Sequence, residues 1–421
     1  MKAIIMAGGE GVRLRPLTCD CPKPMIPLMN RPVMQYAVEL LRDHGIRDIA
    51  VTLGYQPEAI TDYFGDGADF GVSLRWYKES TPLGTAGSVR NVSDFLDETF
   101  VVLSGDGITD LDLTAVLSQH RRQKALATLV LHREAQPAEY GLVSIDDEGR
   151  VLGFIEKPAP GDGAGQNVNT GIYILEPEIL QHIPPKQPYD FGSELFPCLV
   201  REGAKLFGHV TDHYWCDVGD LGAYLRAHAD AMDGRVRRPG LSLRPGGVAI
   251  LPGAFVDRTA VLEAPCLIGS GAKIHAGARI GAYTVVGTNA VVGANADLKR
   301  TILWTNAHAA SRAQLRGCVL SAHAVAGADC QIYEECALGT GSSAGEGAIL
   351  TPGVRIWPGK CAAPGVRISE NLVWGSCHSE SFAAGTLALS SPSQASRATQ
   401  CFIHALQPQE LVIGRAPGAV A

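Results

Sequence analysis

The apolar residues of this chain follow two rhythms, and one gives way to the other near residue 250. In the first half, short β-rich runs stand apart: KAIIMA from Lys2, IRDIAVTL from Ile46, VSLRWY from Val72, FVVLSG from Phe100 and ALATLVLH from Ala125. Between them lie stretches of helical spacing, such as PVMQYAVELLRDHG from Pro32 and LTAVLSQHRRQ from Leu113. Strands that alternate with helices predict an α/β, Rossmann-like domain with a mainly parallel sheet covered on both faces. Ligands bind such sheets beyond the carboxyl ends of the strands. The loop that opens at Gly8 and the aspartate Asp106 both fall there.

The second half keeps a different period. Ile268, Ile274, Ile280, Val286, Val292 and Leu298 recur every six residues, several followed by glycine (Gly269, Gly281, Gly287, Gly293). The phase resumes at Ile332, Leu338, Leu350 and Ile356, with small Ala326 and Ala344 in intervening slots. A six-residue apolar repeat suits neither a helix nor a simple strand; it predicts a parallel β-helix, one hexapeptide per side of a triangular coil. Five-residue steps from Leu298 to Leu303 and from Leu315 to Leu320 predict altered corners. The expected organisation is 1–232 for the α/β domain, 233–250 for a linker rich in Gly, Pro and Arg, 251–374 for the β-helix, and 375–421 for an irregular tail rich in Ser and Ala.

Composition narrows the function classes. A chain of 421 residues exceeds one ordinary core. The net charge of −7, without a block of Lys or Arg, argues against nucleic acid as a partner. The opening apolar run is too short and glycine-broken for a signal peptide, and no long apolar span follows, so a cytoplasmic protein without membrane contact is expected. Eleven cysteines lack metal-ligand spacing and read as free, mostly buried thiols.

The candidate chemistry starts in the first loop, MAGGEGVRLRPLTCDCPKPM. Gly8, Gly9 and Gly11 let backbone N–H groups approach phosphate oxygens without a Cβ in the way. Arg13 and Arg15 add planar cationic forks, and Lys23, held between two prolines, adds a point charge. A glycine turn alone is weak evidence, whereas this cluster in one loop marks a phosphate site.

These residues, followed in order by PLGTAGSV, SGDGITDLD, EYGLVSID, FIEKP, VNTGIYILEP and YWCDVGD, resemble the signature of the sugar-1-phosphate nucleotidyltransferases. The resemblance spans residues 1–232 and is nearest to the mannose-1-phosphate guanylyltransferases, many of which append a left-handed parallel β-helix of hexapeptide repeats. It implies an in-line attack of a sugar-1-phosphate on the α-phosphorus of a nucleoside triphosphate, with release of pyrophosphate. Two polyanions must meet, so the work is charge neutralisation and alignment.

The resemblance also implies roles. Asp106 and Asp217 would hold Mg²⁺, whose preference is for hard carboxylate oxygens. Arg13 and Lys23 would lie along the triphosphate, as catalytic residues together with the two aspartates. The nucleotide would contact Ala7, Gly8, Gly9 and Gly11 and the loop carrying Glu79, Pro82, Gly84, Thr85 and Gly87, with Gly84 and Gly87 permitting close approach to the base. Gly141, Glu156, Lys157, Asn169 and Thr170 would form the sugar-phosphate pocket. Asp110 and Asp112 read as a turn residue and a helix N-cap. Val12 stands where the family usually has threonine, which removes one hydroxyl contact worth ~1 kcal/mol.

Glu79 bears on the base. A carboxylate accepts both the N1–H and N2–H₂ donors of guanine, whereas thymine and uracil flank N3–H with carbonyls that repel it. GTP and mannose-1-phosphate are therefore the expected substrates. Glucose-1-phosphate with dTTP, UTP or ATP is an alternative, as is a non-catalytic paralogue that binds a nucleotide sugar. His275, His308 and His323 read as surface residues rather than acyl-transfer bases. The β-helix is expected to support a homo-oligomer.

Overall fold

The computed structural model describes residues 1–133, 140–155, 167–237, 247–373 and 377–378. The α/β half contains strands β1 (Lys2–Ala7), β2 (Asp48–Leu53), β3 (Ser73–Lys78), β4 (Phe100–Ser104) and β5 (Gly107–Thr109). It continues with β6 (Ala127–Arg133), β7 (Leu142–Ile145), β8 (Val151–Ile155), β9 (Asn167–Leu175), β10 (Leu206–Thr211) and β11 (Trp215–Asp217). Helices α1 (Val33–Asp43), α2 (Pro57–Phe64), α3 (Gly84–Arg90), α4 (Leu113–Gln123), α5 (Phe196–Arg201) and α6 (Leu221–Met232) connect them.

The main sheet runs β8-β7-β9-β4-β1-β2-β3, with β6 paired to both β9 and β10. Strands β3, β2, β1 and β4 are mutually parallel, and β9 runs antiparallel to β4 and β6. Burial on both faces explains the near-continuous apolar runs. Ala3, Ile5 and Ala7 of β1 face the cluster built from α1, α2 and α4, while Ile4 faces the one built from α3 and α5. Because the chain leaves β1 for β2 on one side and later returns to β4 on the other, the crevice beyond the carboxyl ends of β1 and β4 is the switch point of the sheet.

The second half is a left-handed parallel β-helix whose coils stack three sheets of seven, eight and seven strands. The six-residue column is its core: Ile268, Ile274, Ile280, Val286, Val292 and Leu298 are fully buried. Both five-residue steps fall at the same corner of successive coils, after the paired segments Asp297–Lys299 and Gln314–Arg316. Left-handed residues Arg300 and Gly317 turn the chain there. Val248–Ile250 already pairs with Cys266–Ile268, so the first coil starts three residues before the expected 251. Cys377–His378 pairs with Cys361–Ala362, inside the segment expected as tail.

One outer face of the β-helix is apolar on successive coils and buried. Leu267, Val285, Ile302, Val319 and Ala337 point outward yet are buried, in one cluster with Leu221, Tyr224, Ala227 and Ala231 of α6. The equivalent columns on the other faces carry Lys273, His308 and Ser343, or Arg279, Gln314 and Arg367, and stay at least partly exposed. Polar contacts fix the docking: Trp304 Nε1 donates to Tyr224 Oη at 2.9 Å, Asn30 Nδ2 to the Val286 carbonyl at 3.2 Å, and Tyr283 Oη to Asp233 Oδ1 at 3.0 Å.

Cys266, Cys318, Cys330 and Cys336 are free and buried, Cys19, Cys21, Cys198 and Cys216 free and half-buried, and Cys361 free and exposed. Burial is thus less general than expected. Among the described residues no helix is long and apolar enough to cross a membrane.

Candidate active site

The loop after β1 is shaped by small residues and pinned by large ones. Gly11 adopts a left-handed conformation (φ 62°) and its carbonyl accepts from Thr18 Oγ1 at 2.8 Å. A single helical turn follows at Val12–Leu14. Leu14 and Leu17 are buried below, which leaves Arg13 pointing into solvent with its side chain 57% exposed. Lys23 starts a second such turn between Pro22 and Pro24 and is buried.

What brings distant carboxylates to this loop is a small antiparallel pairing of β5 with β11, in which Asp217 lies opposite Gly107. The Val218 amide then donates to the Asp106 carbonyl at 3.3 Å. Lys23 Nζ contacts Asp106 Oδ2 and sits 3.2 Å from Asp217 Oδ1, while Arg13 Nη2 lies 3.9 Å from Asp217 Oδ2. Ser104 donates its hydroxyl to Asp106 Oδ1. A Cβ at Gly219 would stand 2.8 Å from Arg13 Nη2, so glycine there leaves the guanidinium its place.

The electrostatics of the trio are uneven. Burial acts to raise the Asp106 carboxyl, but Lys23 and the Ser104 hydrogen bond outweigh it and hold the group below its ordinary value. For Asp217, burial and the adjacent Asp106 charge prevail over Lys23 and Arg13, and its carboxyl is raised. Burial acts to lower Lys23, yet the two aspartates keep it raised and charged. Two desolvated carboxylates thus share one buried ammonium, with the more exposed Arg13 guanidinium at the edge of the group.

Beside the trio opens a cavity of about 540 Å³, walled by Gly8, Gly9 and Glu10, by Thr52, Gly54 and Tyr55, by residues 79–85, and by Ser88, Ser104, Asp106 and Asp190. Two polar atoms on its lining residues are buried without a hydrogen-bond partner among the described residues: Glu79 Oε1 and Thr52 Oγ1. Glu79 follows β3, and its second oxygen accepts from the Leu83 amide at 3.3 Å. That bond fixes the carboxylate and leaves Oε1 to be satisfied by something else.

The loop of residues 79–87 is braced from behind. Thr85 Oγ1 donates to Asp190 Oδ2 at 2.7 Å, the Gly87 amide to the Tyr189 carbonyl at 2.9 Å, and the Tyr189 amide to the Leu83 carbonyl at 2.9 Å. Gly84 is left-handed (φ 69°), and a Cβ there would lie 2.7 Å from the Tyr189 carbonyl oxygen. The close approach permitted by Gly87 is therefore to Gln187 and Tyr189, not to the cavity, while Gly84 serves both.

On the β9 side, the Asn169 amide donates to the Gly141 carbonyl at 2.8 Å, and Asn169 Nδ2 to Tyr173 Oη at 2.8 Å. Because β9 runs antiparallel to β4, these residues lie at the same end of the sheet as Asp106. The Thr170 hydroxyl donates to the Val130 carbonyl at 2.8 Å and is buried, so it braces the irregularity in β9 and is not free for a ligand. Glu156 and Lys157 lie outside the described residues. Asp112 caps α4 as expected, and Asp110 accepts from the Tyr214 and Arg237 amides.

Sequence reasoning missed Thr52, Tyr55, Ser104, Asp190 and Trp215. Asp190 carried a faint signal, an acidic residue before Phe-Gly-Ser, where it caps a helical turn. Trp215 packs edge-on against Tyr140 at 5.1 Å, beside Gly141.

Residues 2–234 match the family model described as Nucleotidyl transferase, and residues 262–363 match the GMPPB C-terminal domain. The first match covers more than half of the chain, which belongs to the nucleotidyl transferase family. A UTP–glucose-1-phosphate uridylyltransferase from Synechocystis is 38% identical over 291 residues, covering 65% of this chain and 75% of the relative. A mannose-1-phosphate guanylyltransferase from Mycobacterium tuberculosis is 34% identical, over 65% of this chain and 76% of the relative. A solved candidate glucose-1-phosphate thymidylyltransferase from Bacillus anthracis superposes with a TM-score of 0.50 at 27% identity, covering 54% of this chain and 94% of that one.

Proposed function

We propose that this sugar-1-phosphate nucleotidyltransferase uses GTP and mannose-1-phosphate and releases pyrophosphate as GDP-mannose forms. The observation that carries the choice of base is Glu79: a fixed carboxylate whose Oε1 is buried beside the cavity and unpartnered. Leaving such an oxygen unsatisfied costs about 1–3 kcal/mol. Guanine offers two adjacent donors to a carboxylate, and the Thr52 hydroxyl, equally orphaned, is available to donate to a carbonyl such as O6.

In this reading the nucleotide lies in the cavity with its phosphates over Ala7, Gly8, Gly9 and Gly11. Lys23 and Arg13 offset the charge that builds on the departing pyrophosphate. Asp106 and Asp217 would hold Mg²⁺. Two converging hard carboxylates fit an ion that would take its remaining ligands from water and phosphate. When bound, the ion neutralises phosphate oxygens and aligns them. Gly141 and Asn169, with Glu156 and Lys157, receive the sugar phosphate. Self-association through the β-helix belongs to the same proposal, supported by exposed Val248, Ile250, Phe255 and Val261 on its first coil.

A second reading, UTP with glucose-1-phosphate, is favoured by the similarity to the Synechocystis uridylyltransferase. The test is pyrophosphate release from five nucleoside triphosphates against mannose- and glucose-1-phosphate. The proposal requires GTP with mannose-1-phosphate to exceed every other pair in kcat/KM; a preference for UTP would replace it with the second reading.

A further inference from the structure

The column that seals the β-helix onto the α/β half ends differently from how it begins. Leu267, Val285, Ile302, Val319 and Ala337 are apolar and buried, but the next rung, in register with Ala337, is Arg355. Its Nη1 donates to the Arg15 carbonyl at 2.7 Å and to the Arg13 carbonyl at 3.2 Å. The neighbouring carbonyls of Gly11, Val12, Leu14 and Pro16 accept backbone N–H groups of the loop itself. One cationic donor from the β-helix thus holds the two carbonyls that flank Leu14 in the glycine-rich loop.

Arg355 is itself held firmly. Its amide donates to Asn371 Oδ1 at 2.9 Å, and its carbonyl accepts from the Leu372 amide at 2.9 Å. The next inward residue, Ile356, is fully buried in the coil. A rigid scaffold therefore grips the backbone on both sides of Leu14, in the segment that carries Arg13 towards Asp217.

We propose that Arg355 is a positioning residue: from the β-helix it sets the path of the phosphate loop and so aims Arg13 at the carboxylate pair. The β-helix would thereby contribute to turnover without touching a substrate. This rests on the reading of the loop given under Proposed function, and it predicts that a disturbance of the last coils is felt at the site.

The test uses the full chain with Arg355→Met, which keeps the aliphatic stem, and Arg355→Lys, which keeps a cationic donor. Steady-state kinetics with GTP and mannose-1-phosphate are combined with hydrogen exchange of the amides of residues 10–17. Loss of charge-assisted hydrogen bonds predicts a fall of about tenfold in kcat for Arg355→Met. KM for the sugar phosphate should stay within about twofold, amides 10–17 should exchange faster, and Arg355→Lys should recover most of the loss. Parental kcat and unchanged exchange in Arg355→Met would overturn the proposal. So would a fall shared equally by both variants and matched by a lower Tm, the mark of a merely structural residue. If the parent transfers no nucleotide to either sugar phosphate, the functional reading has failed and the exchange arm decides alone: faster exchange confined to residues 10–17 supports the positioning role, and unchanged exchange ends it.

Discussion

Lys23 Nζ lies 3.2 Å from Asp217 Oδ1, a partner 194 positions away in sequence, while also contacting Asp106. The ammonium stands between two carboxylates that otherwise repel each other. Removing it with Lys23→Met leaves two adjacent buried carboxylates with only the more exposed Arg13 nearby as a cation. Turnover should drop about 100-fold or more, in line with the loss of one preorganised charge from a transition-state site. Pyrophosphate release measures this, with circular dichroism as the control for folding. Asp106→Asn should behave alike, and near-parental rates in that variant would remove the carboxylate from the chemistry.

The same geometry bears on metal dependence. Asp106 and Asp217 supply only two carboxylates, and among the described residues no group of three metal-binding side chains occurs. An ion that these two carboxylates would hold is expected to bind weakly until nucleotide arrives. Chelation by EDTA should abolish pyrophosphate release, and added Mg²⁺ should restore it. Calorimetric titration should show much tighter Mg²⁺ binding with a non-hydrolysable nucleotide than without one. Equal affinity in both titrations would place the ion elsewhere.

Glu79 offers a change of specificity. Glu79→Gln replaces one acceptor oxygen with an amide that both donates and accepts, which matches the edge of uracil or thymine better than that of guanine. The kcat/KM ratio of GTP to UTP should fall by about tenfold or more, the scale of a buried polar mismatch. An unchanged ratio would mean that the base does not meet this side chain.

Much of this site could be read from residue order alone, for identifiable reasons. Gly8, Gly9, Gly11, Arg13 and Lys23 are local in sequence, so their cluster survives any uncertainty about tertiary structure. The pairing of Asp217 with Gly107 is not local, and it is what places Lys23 between the two aspartates. Thr52 looked like one more strand residue, because only the neighbouring strands and loops determine that its hydroxyl is left without a partner. In the β-helix the inward positions repeat every six residues and were plain. The outward column Leu267, Val285, Ile302, Val319 repeats once per coil, at 18 or 17 residues, and shows only when the coil length is known.

Gly84 tests the bracing of the nucleotide loop. It combines φ 69° with a would-be Cβ 2.7 Å from the Tyr189 carbonyl oxygen, so alanine meets both backbone strain and a clash. Such a substitution costs about 1–3 kcal/mol locally. Because the strain falls on the loop that walls the cavity, Gly84→Ala should raise KM for the nucleotide several-fold and leave KM for the sugar phosphate nearly unchanged. Equal effects on both would show that the strain spreads through the sheet.

His228 gives the fold a dependence on pH. It is buried in α6 against Tyr224, with ring centroids 4.7 Å apart, and its Nδ1 faces the Met29 amide at 3.5 Å. Its Nε2 finds no partner among the described residues. Burial lowers its pKa from 6.5 to about 3. Between those values the unfolded chain binds a proton that the folded chain refuses, so stability is fully present above pH 6.5 and is lost as pH falls towards 3. One such group contributes a slope of up to roughly 1.4 kcal/mol per pH unit. His228→Gln, which cannot titrate, should start less stable at pH 7.5 but lose stability more slowly on acidification. Denaturant midpoints of parent and variant between pH 7.5 and 5 measure the two slopes. Parallel slopes would mean that this histidine takes up its proton in the folded protein as readily as in the unfolded chain, against everything its apolar surroundings dictate.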